Sequence, residues 1–479
     1  MKEFDQFING KWVKSTSTRV TEVLNPCTEE VLSTIPEGSV EDANKALNAA
    51  KDAQKGWRSM TAIERAGYLH KMASVIRENR VFLAENLASE QAKVMSLAQV
   101  EIDVTADYFD YYAGWARRIE GEIIQSDRRK EHIFLHKSPI GTAVGILPWN
   151  FPFFVMARKV AASLITGNTC VIKPSCIAPN TILEWVQLID KIDLPAGVLN
   201  MVCGTGPVVG NALSKNPITG IISLTGSVLA GQKVMEAAAE NITKVSLELG
   251  GKAPAIVCAD ANLELAVNAV VSSRIIYSGQ VCNCAERVYV EDKIHDQFME
   301  MVTKKMTEIN VQDAFSKDNP DMSALVSKAQ MDKVAEMVEF AKKEGAEVLV
   351  GGNKSSQFNK GYFYQPTLLT NVTQNMRIMK DEIFGPVLPV MKFGTLEEAI
   401  SLANDCEYGL TSSIFSENFN KVMHASQELE FGETYINREH FEAIQGFHAG
   451  WKKSGIGGAD GKHGMQEYLQ TKVIYAQYQ

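Results

Sequence analysis

Gly141-Thr-Ala-Val-Gly-Ile-Leu-Pro148 and Asn168-Thr-Cys-Val-Ile-Lys-Pro174 are two short apolar runs, each ended by a proline. Runs of this length and composition suit strands that are buried on both faces, and a helical pattern lies between them. Two further apolar runs, at 198–203 and 218–224, are each followed by glycine and then by a helical pattern. Strands and helices in repeated alternation predict a doubly wound parallel sheet.

A second alternation of apolar runs and helical patterns begins after Glu248. The runs lie at 255–258, 287–290 and 347–350, and the helical patterns between them at 263–274 and 296–308. This order predicts a second α/β domain. The polar stretch 120–137 and the C-terminal tail 466–479 predict a small protruding β ribbon.

The composition favours a globular protein that acts on small molecules. A chain of 479 residues is too long for a single core, so two or more domains are expected. The formal charge of −9, with acidic and basic residues interspersed, disfavours a nucleic-acid or anionic-membrane partner. The sequence also has neither a run apolar enough to span a membrane nor a secretory signal.

The eight cysteines are scattered without a disulfide framework, which predicts reduced thiols and a cytoplasmic location. Cys282 and Cys284 are too close together for a zinc knuckle, and a second pair of ligands is lacking nearby. We therefore predict that the protein binds no metal.

Two short segments offer a carboxylate and a thiol as chemical partners: Glu248-Leu249-Gly250-Gly251-Lys252 and Gly279-Gln280-Val281-Cys282. A thiolate attacks carbonyl carbons, and a carboxylate in an apolar pocket can have its pKa raised until it acts as a general base near neutral pH. Cys282 lies in a glycine-flanked turn where a thiol can be exposed. Cys170 and Cys203 lie inside apolar runs instead, as packing cysteines do.

Asn150 is a candidate donor to an oxyanion. Its neighbours Trp149, Phe151 and two prolines would hold its amide in a stiff apolar setting, and a preorganised amide donor stabilises a developing oxyanion by roughly 3 kcal/mol. The alternative is a turn asparagine that satisfies its own backbone.

Seven motifs follow one another along the whole chain: Pro148-Trp149-Asn150-Phe151-Pro152, Lys173-Pro174-Ser175, Thr225-Gly226-Ser227, Glu248-Leu-Gly-Gly-Lys252, Gly279-Gln-Val-Cys282, Glu382-Ile-Phe-Gly-Pro386 and Lys453-Ser-Gly-Ile-Gly457. In this order and spacing they resemble the aldehyde dehydrogenase superfamily. The resemblance implies a dinucleotide-binding domain (1–118 and 138–247), a catalytic domain (248–452) and an oligomerisation ribbon (119–137 and 453–479). It also implies a homo-oligomer, either a dimer or a tetramer.

The resemblance implies roles for three catalytic residues. Cys282 is the expected nucleophile, and Asn150 together with the backbone N–H of Cys282 is expected to hold the oxyanion. Glu248 is the expected general base that activates the water hydrolysing the thioester. An acidic residue at this position separates the chain from relatives that pass the acyl group to coenzyme A, so the expected product is a free acid.

The resemblance also implies a nicotinamide dinucleotide cofactor. The expected cofactor-binding residues are Trp149, Lys173, Ser175, Cys176, Gly226, Ser227, Glu382 and Phe384. Members that prefer NAD usually carry a glutamate three residues after the lysine, where it repels a 2′-phosphate, but Cys176 stands at that position here. NAD is therefore the expected cofactor, with NADP possible as well.

The candidate substrate-binding residues are Arg158, Asn283, Glu442 and His448. The guanidinium of Arg158 offers a fork for hydroxyl or anionic groups, unless it forms an internal salt bridge. The segment 435–448, with Cys282-Asn283-Cys284, resembles the lactaldehyde and glycolaldehyde dehydrogenases of bacteria and implies a short 2-hydroxyaldehyde substrate.

Two alternatives to a 2-hydroxyaldehyde dehydrogenase stay open. The first is an anionic semialdehyde, such as succinate semialdehyde or sulfolactaldehyde, whose distal charge would pair with Arg158. The second is a non-catalytic binding or structural protein on the same fold. Such proteins tend to lose the nucleophile or the base, whereas this chain retains both Cys282 and Glu248.

Overall fold

The computed structural model describes residues 2–479. Up to residue 118 the elements are β1 (Lys2–Glu3), β2 (Gln6–Ile8), β3 (Lys11–Val13), β4 (Val20–Leu24), β5 (Val31–Pro36), α1 (Val40–Ser59), α2 (Ala62–Glu78), α3 (Arg80–Gln91) and α4 (Met95–Ala113). They are followed by β6 (Glu122–Gln125), β7 (Glu131–Pro139), β8 (Thr142–Ile146), α5 (Pro152–Ile165), β9 (Thr169–Lys173), α6 (Asn180–Ile189), β10 (Leu199–Met201), α7 (Asn211–Lys215), β11 (Thr219–Thr225), α8 (Val228–Ala238) and β12 (Lys244–Glu248).

The second half of the chain is also α/β. It contains β13 (Pro254–Val257), α9 (Leu263–Ile275), β14 (Arg287–Glu291), α10 (His295–Thr307), α11 (Lys328–Glu344), β15 (Glu347–Val350), β16 (Thr367–Thr370), α12 (Arg377–Lys380), β17 (Val387–Phe393), α13 (Leu396–Asn404), β18 (Tyr408–Gly409), β19 (Thr411–Phe415), α14 (Phe419–Glu428), β20 (Glu433–Ile436), β21 (Trp451–Lys452), β22 (Gly455–Ile456), α15 (Gly461–Gln466) and β23 (Leu469–Gln477). Within residues 2–479, none of the helices has the length and apolar character needed to cross a membrane.

The first sheet has eight strands in the order β22-β12-β11-β8-β9-β10-β2-β3. The five strands from β12 to β10 are parallel, and antiparallel strands complete both edges. Every residue of β8 and β9 is buried, as the two apolar runs predicted. Between them α5 begins at Pro152, where proline costs no helical hydrogen bond, and nearly all of this helix is buried.

The first sheet changes direction between β8 and β11. From β8 the chain winds outward through β9 and β10, and it then returns to add β11 and β12 on the other side. The carboxyl ends of strands at such a switch point form a crevice that binds ligands. Asn150, Ser227 and Glu248 all lie at or just beyond these strand ends, so the topology brings together residues from three distant motifs.

A second sheet has seven strands in the order β15-β16-β17-β14-β13-β19-β20, parallel except for β15. Its strands include the apolar runs predicted after Glu248. The predicted fold class, a doubly wound parallel sheet with a second α/β unit, is thereby confirmed.

A third sheet forms the ribbon. Strand β7 pairs with β6 on one side and, over nine residues, with the C-terminal strand β23 on the other. Ile123, Val473 and Tyr475 project from it as exposed apolar side chains. The domain bounds given above stay a prediction, since sheet membership alone does not define them.

Candidate active site

Two cavities meet at the thiol of Cys282. We call the cavity of about 250 Å³ the small cavity and the neighbouring one of about 350 Å³ the large cavity. Asn150, Thr225, Cys282 and His448 line both of them. A molecule in one cavity can therefore reach the same sulfur atom as a molecule in the other.

The turn before Cys282 has an uncommon backbone conformation. Tyr277, Ser278 and Gly279 are consecutive left-handed residues, with φ of 45°, 54° and 72°. Side chains at the first two positions are strained in this region, so the surroundings must hold them. The Tyr277 hydroxyl donates to the Gln91 carbonyl at 3.1 Å, and Ser278 Oγ donates to the Ser323 carbonyl at 2.7 Å. These buried bonds fix the turn that presents the thiol.

The two sequence motifs touch through their backbones. A Cβ atom at Gly251 would lie 2.5 Å from the Cys282 carbonyl oxygen, closer than van der Waals contact allows. Position 251 therefore needs glycine, because the segment after Glu248 runs directly against the segment that carries the thiol.

Glu248 is buried beside the large cavity, with 2% of its surface exposed. Its Oε2 accepts from Thr225 Oγ1 at 2.8 Å and from Arg158 Nη1 at 3.2 Å, whereas its Oε1 is buried without a protein partner. Burial raises the pKa of this carboxyl, but the positive charges of Lys159, Arg158 and His448 outweigh burial and lower it to about 2. The expectation of a raised pKa in an apolar pocket is wrong, since cations surround the group.

Asn150 is buried where the two cavities meet. Its Nδ2 donates to the Gln280 carbonyl at 3.0 Å, which orients the amide toward the Cys282 segment. Because a side-chain amide carries two hydrogens, one remains to serve a second acceptor.

Arg158 lies in the wall of the small cavity, but its guanidinium is already paired. Its side chain is 3% exposed and lies 3.2 Å from Glu248, 3.2 Å from Glu442 and 2.7 Å from Asp460. Nη2 also donates to the Tyr108 hydroxyl at 3.1 Å. Of the two interpretations given above, the structure shows the internal salt bridge, because carboxylates occupy the fork that an anionic ligand would need.

The other three candidate substrate residues also line the small cavity. Asn283 Nδ2 donates to Glu442 Oε2 at 2.5 Å, and His448 Nδ1 lies 2.6 Å from Oε1 of Glu433. Burial raises the pKa of the Cys282 thiol, and interaction with His448 opposes that shift. Polar groups thus form one end of a cavity whose other walls are largely apolar.

Most of the expected cofactor residues line the large cavity, namely Trp149, Ser175, Gly226, Ser227, Glu382 and Phe384. Lys173 and Cys176 are not among its lining residues. Lys173 Nζ donates to the Pro174 carbonyl at 3.0 Å, and Cys176 Sγ donates to the Gly204 carbonyl at 3.1 Å. These two residues therefore flank Ser175 beyond the edge of the cavity.

A profile of the aldehyde dehydrogenase family matches residues 12–474. The chain belongs to this family. Membership makes the protein an enzyme that oxidises aldehydes to carboxylic acids, in agreement with the resemblance carried by the seven motifs.

Curated relatives and solved structures agree with this assignment. The chain is 54% identical to lactaldehyde dehydrogenase of Escherichia coli, with 98% of each chain covered. It is 44% identical to 3,6-anhydro-alpha-L-galactose dehydrogenase of a Vibrio species over 100% of both chains, and 37% identical to D-glyceraldehyde dehydrogenase (NADP(+)) of Picrophilus torridus over 98% of this chain and 96% of that one.

Among solved structures, the crystal structure of E. coli lactaldehyde dehydrogenase superposes with a TM-score of 0.98 and covers 99% of each chain at 54% identity. The structure of betaine aldehyde dehydrogenase of Staphylococcus aureus in complex with NAD+ superposes with a TM-score of 0.97 at 35% identity, and the match covers 99% of this chain and 95% of that one.

A buried ion pair that the sequence did not reveal holds the turn carrying Asn150. Lys93 Nζ donates to the Asn150 carbonyl at 2.7 Å and pairs with Glu101. Glu101 Oε1 in turn accepts from the backbone N–H of Phe153 at 2.9 Å, at the start of α5. Both charged side chains are fully buried. No local pattern could have signalled this contact, because Lys93 and Glu101 lie in another helical region more than fifty residues before their partners.

Lys93 and Glu101 give a test of this positioning in the dehydrogenase. Lys93→Met leaves a buried, uncompensated carboxylate and should cost about 3–5 kcal/mol of stability. The double variant Lys93→Met/Glu101→Gln removes both charges and should recover much of that stability. It should still lose about tenfold or more in kcat, because the carbonyl of Asn150 loses the Lys93 donor and keeps only Gln91, at 3.4 Å. Chemical denaturation and steady-state kinetics measure the two effects, and a wild-type kcat in the double variant would contradict the positioning role.

Proposed function

We propose that the dehydrogenase oxidises short 2-hydroxyaldehydes, such as lactaldehyde and glycolaldehyde, to their carboxylates with a nicotinamide dinucleotide. The observation that carries the proposal is that Cys282 lies where the small and large cavities meet. One cavity offers polar groups suited to a small oxygenated substrate, and the other offers groups suited to a dinucleotide.

In the first half-reaction the Cys282 thiolate attacks the carbonyl carbon of the aldehyde. The free hydrogen of the Asn150 amide and the backbone N–H of Cys282 stabilise the oxyanion of the thiohemiacetal. Trp149, Ser227, Glu382 and Phe384 line the cavity that would hold a nicotinamide cofactor, which would supply the acceptor for the hydride that the thiohemiacetal carbon loses as it becomes a thioester on Cys282.

In the second half-reaction Glu248 directs water at the thioester. The water oxygen bonds to the carbonyl carbon, the C–S bond breaks, Cys282 leaves as a thiolate, and the protons of the water pass to solvent as the carboxylate is released. Glu248 Oε1 is the buried oxygen without a protein partner, so it is free to accept a hydrogen bond from a water molecule. Thr225 and Arg158 hold the other oxygen and fix the carboxylate plane. With a pKa of about 2 the group is ionised across the physiological range, which makes it an acceptor at all working pH values but a weak base.

The charges of the small cavity favour a hydroxyl group over an anionic group on the substrate. Arg158 is shared among Glu248, Glu442 and Asp460, so the cavity offers no unpaired cation to a distal carboxylate or sulfonate. Asn283 and Glu442 bond each other, but the second amide hydrogen and the remaining carboxylate lone pairs still provide a donor and an acceptor suited to a hydroxyl group. The anionic semialdehydes are therefore the less favoured substrate class.

The residues of the large cavity fit a dinucleotide. Helix α8 starts there with Ser227 as its N-cap, and backbone amides at a helix N-terminus suit a phosphate. The rings of Trp149 and Phe384 pack edge to face beside the cavity, with their centroids 5.3 Å apart. They offer an apolar surface for a cofactor ring. Glu382 would accept from ribose hydroxyls, and burial and the neighbouring Glu286 raise its pKa to about 7.

The relatives support both parts of the proposal. The E. coli relative is a lactaldehyde dehydrogenase, one solved neighbour is a complex with NAD+, and one relative carries NADP(+) in its name. Either dinucleotide is compatible with a chain whose position 176 lacks a carboxylate.

We also infer that the chain assembles into a homo-oligomer through the ribbon. A reducing, cytoplasmic location is in keeping with the eight free thiols.

The substrate proposal predicts a ranking of aldehydes. Lactaldehyde and glycolaldehyde should exceed propanal by at least about tenfold in kcat/KM, because a site with hydrogen-bonding groups discriminates against an analogue that lacks the hydroxyl. Both should also exceed succinate semialdehyde. Steady-state kinetics at one pH provide the comparison, and a preference for the charged aldehyde would refute the proposed substrate class.

The nucleophile proposal predicts the effect of Cys282→Ala. This variant should lose aldehyde-dependent formation of reduced nicotinamide while it still binds the cofactor, because only the attacking atom is removed. Cys284→Ala is the matched control, since this thiol is buried two residues away and donates to the Val281 carbonyl; it should change turnover by no more than a few-fold. Turnover retained by Cys282→Ala would exclude the nucleophilic role.

The cofactor proposal predicts measurable activity with NADP, because no carboxylate at position 176 repels a 2′-phosphate. Cys176→Glu should lower kcat/KM for NADP relative to NAD by about tenfold or more through charge repulsion. Cys176→Gln is the same size without the charge and should leave the ratio nearly unchanged. If both variants lowered the ratio of kcat/KM for NADP to that for NAD equally, the size of the side chain rather than its charge would determine cofactor preference.

A further inference from the structure

His448 is held tightly at the junction of the two cavities. Its side chain is 2% exposed, and its Nδ1 lies 2.6 Å from Glu433 Oε1. Its backbone exchanges two hydrogen bonds with Ala459, at 2.9 and 2.8 Å. Because Glu433 occupies Nδ1, Nε2 is the ring nitrogen left for Cys282, which lines the same two cavities as His448.

Glu433 is placed to bind an imidazolium. It lies at the start of β20, and its other oxygen accepts from the Tyr435 hydroxyl, so both oxygens have a partner. A buried carboxylate with these partners stays ionised, and a carboxylate on Nδ1–H stabilises the doubly protonated ring.

We propose that Glu433, His448 and Cys282 form a proton relay in which His448 takes up the proton of Cys282 as the thiol becomes the attacking thiolate. The S–H bond of Cys282 breaks and an Nε2–H bond forms on His448, while Glu433 holds the resulting imidazolium through Nδ1–H. Nothing leaves the enzyme and its net charge is unchanged. The inference rests on the proposed role of Cys282 as the nucleophile, and it gives His448 a task distinct from binding the substrate.

The surrounding charges favour such a neutral transfer. The ionisable groups that face the histidine or the thiol are Glu433, Glu442, Glu248, Asp460, Glu382 and Cys284, and Arg158 lies near Glu433. Carboxyl groups predominate, so an isolated thiolate would add a negative charge to an already acidic cluster. A thiolate paired with an imidazolium adds no net charge and avoids this repulsion.

Burial and charge act in opposite directions on each of the two groups. Burial lowers the pKa of His448, but Glu433, Cys282 and Glu442 outweigh burial and raise it well above the usual range. Burial holds the pKa of the Cys282 thiol above its ordinary value, and His448 is the neighbour that opposes this rise. Removal of the ring should therefore shift the titration of the thiol upward.

Alkylation of Cys282 by iodoacetamide in the free enzyme tests the relay, because the thiolate is the reacting form. The rate is followed against pH by mass spectrometry of the peptide that contains Cys282. His448→Gln should raise the midpoint of the profile by about one pH unit or more, which slows alkylation about tenfold at pH 7. Glu433→Gln should shift it in the same direction, and Glu433→Asp should restore part of the shift.

His440→Gln is the matched control. His440 is a second buried histidine lining the small cavity, but its Nδ1 lies 3.1 Å from Ser273 Oγ rather than beside a carboxylate. Burial lowers its pKa to about 3, so it is neutral and its loss should leave the alkylation midpoint in place. Thermal melting of every variant verifies that the chain is folded.

Kinetics separate the relay from a purely structural or substrate-binding role. His448→Gln should lower kcat at pH 7 and regain most of it at high pH, where the thiol ionises without help, whereas loss of a substrate contact would raise KM at every pH. An unshifted alkylation midpoint in a folded His448→Gln variant overturns the relay. If alkylation of Cys282 abolishes turnover in that case, the nucleophile proposal still stands; if turnover survives alkylation, that proposal falls as well.

Discussion

One buried carboxylate, Glu286, holds the two halves of the active site in register. It pairs with Lys252 at 3.0 Å and with Arg274 at 3.3 Å, and it accepts from the backbone N–H groups of Ile383 and Phe384 at 3.0 and 2.8 Å. An isolated charge in this position would be costly, but two cations and two amides satisfy it and lower its pKa to about 2. Lys252 follows Glu248 by four residues and Glu286 follows Cys282 by four, so this ion pair sets the separation of carboxylate and thiol.

Buried, fully paired charges also occur around the small cavity. Lys93 and Glu101 anchor Asn150, and Arg158 gathers Glu248, Glu442 and Asp460 around one guanidinium. Buried charges of this kind contribute little net stability, but they fix positions because any displacement leaves a charge without a partner. Arg158 thereby connects Glu248, which lines the large cavity, to Glu442, which lines the small cavity. The polar groups of the two cavities are therefore parts of one charge network.

Features of the fold and the site that have a local signal were predictable from the sequence, whereas features that depend on distant partners were not. The pattern of apolar residues and the prolines and glycines that bound it predicted β8, β9 and the C-terminal strand of the ribbon. Short motifs singled out Cys282, Glu248 and Asn150, which the fold brings together. The state of Arg158 was not decidable, because its partners lie about 90 to 300 residues further along the chain. The low pKa of Glu248 was missed for the same reason, since Lys159, Arg158 and His448 become its neighbours only in the folded protein.

The position of the last strand has a consequence for how the protein is made. Strand β23 comprises residues 469–477 and pairs with residues 131–139, so β7 must wait for its partner while more than 300 further residues are synthesised. Until then β7 presents one open edge, and open strand edges promote association between chains. A polypeptide truncated before residue 469 keeps that edge unpaired. The ribbon can therefore form only after synthesis has passed residues 469–477, which makes its assembly one of the late events in the folding of this chain.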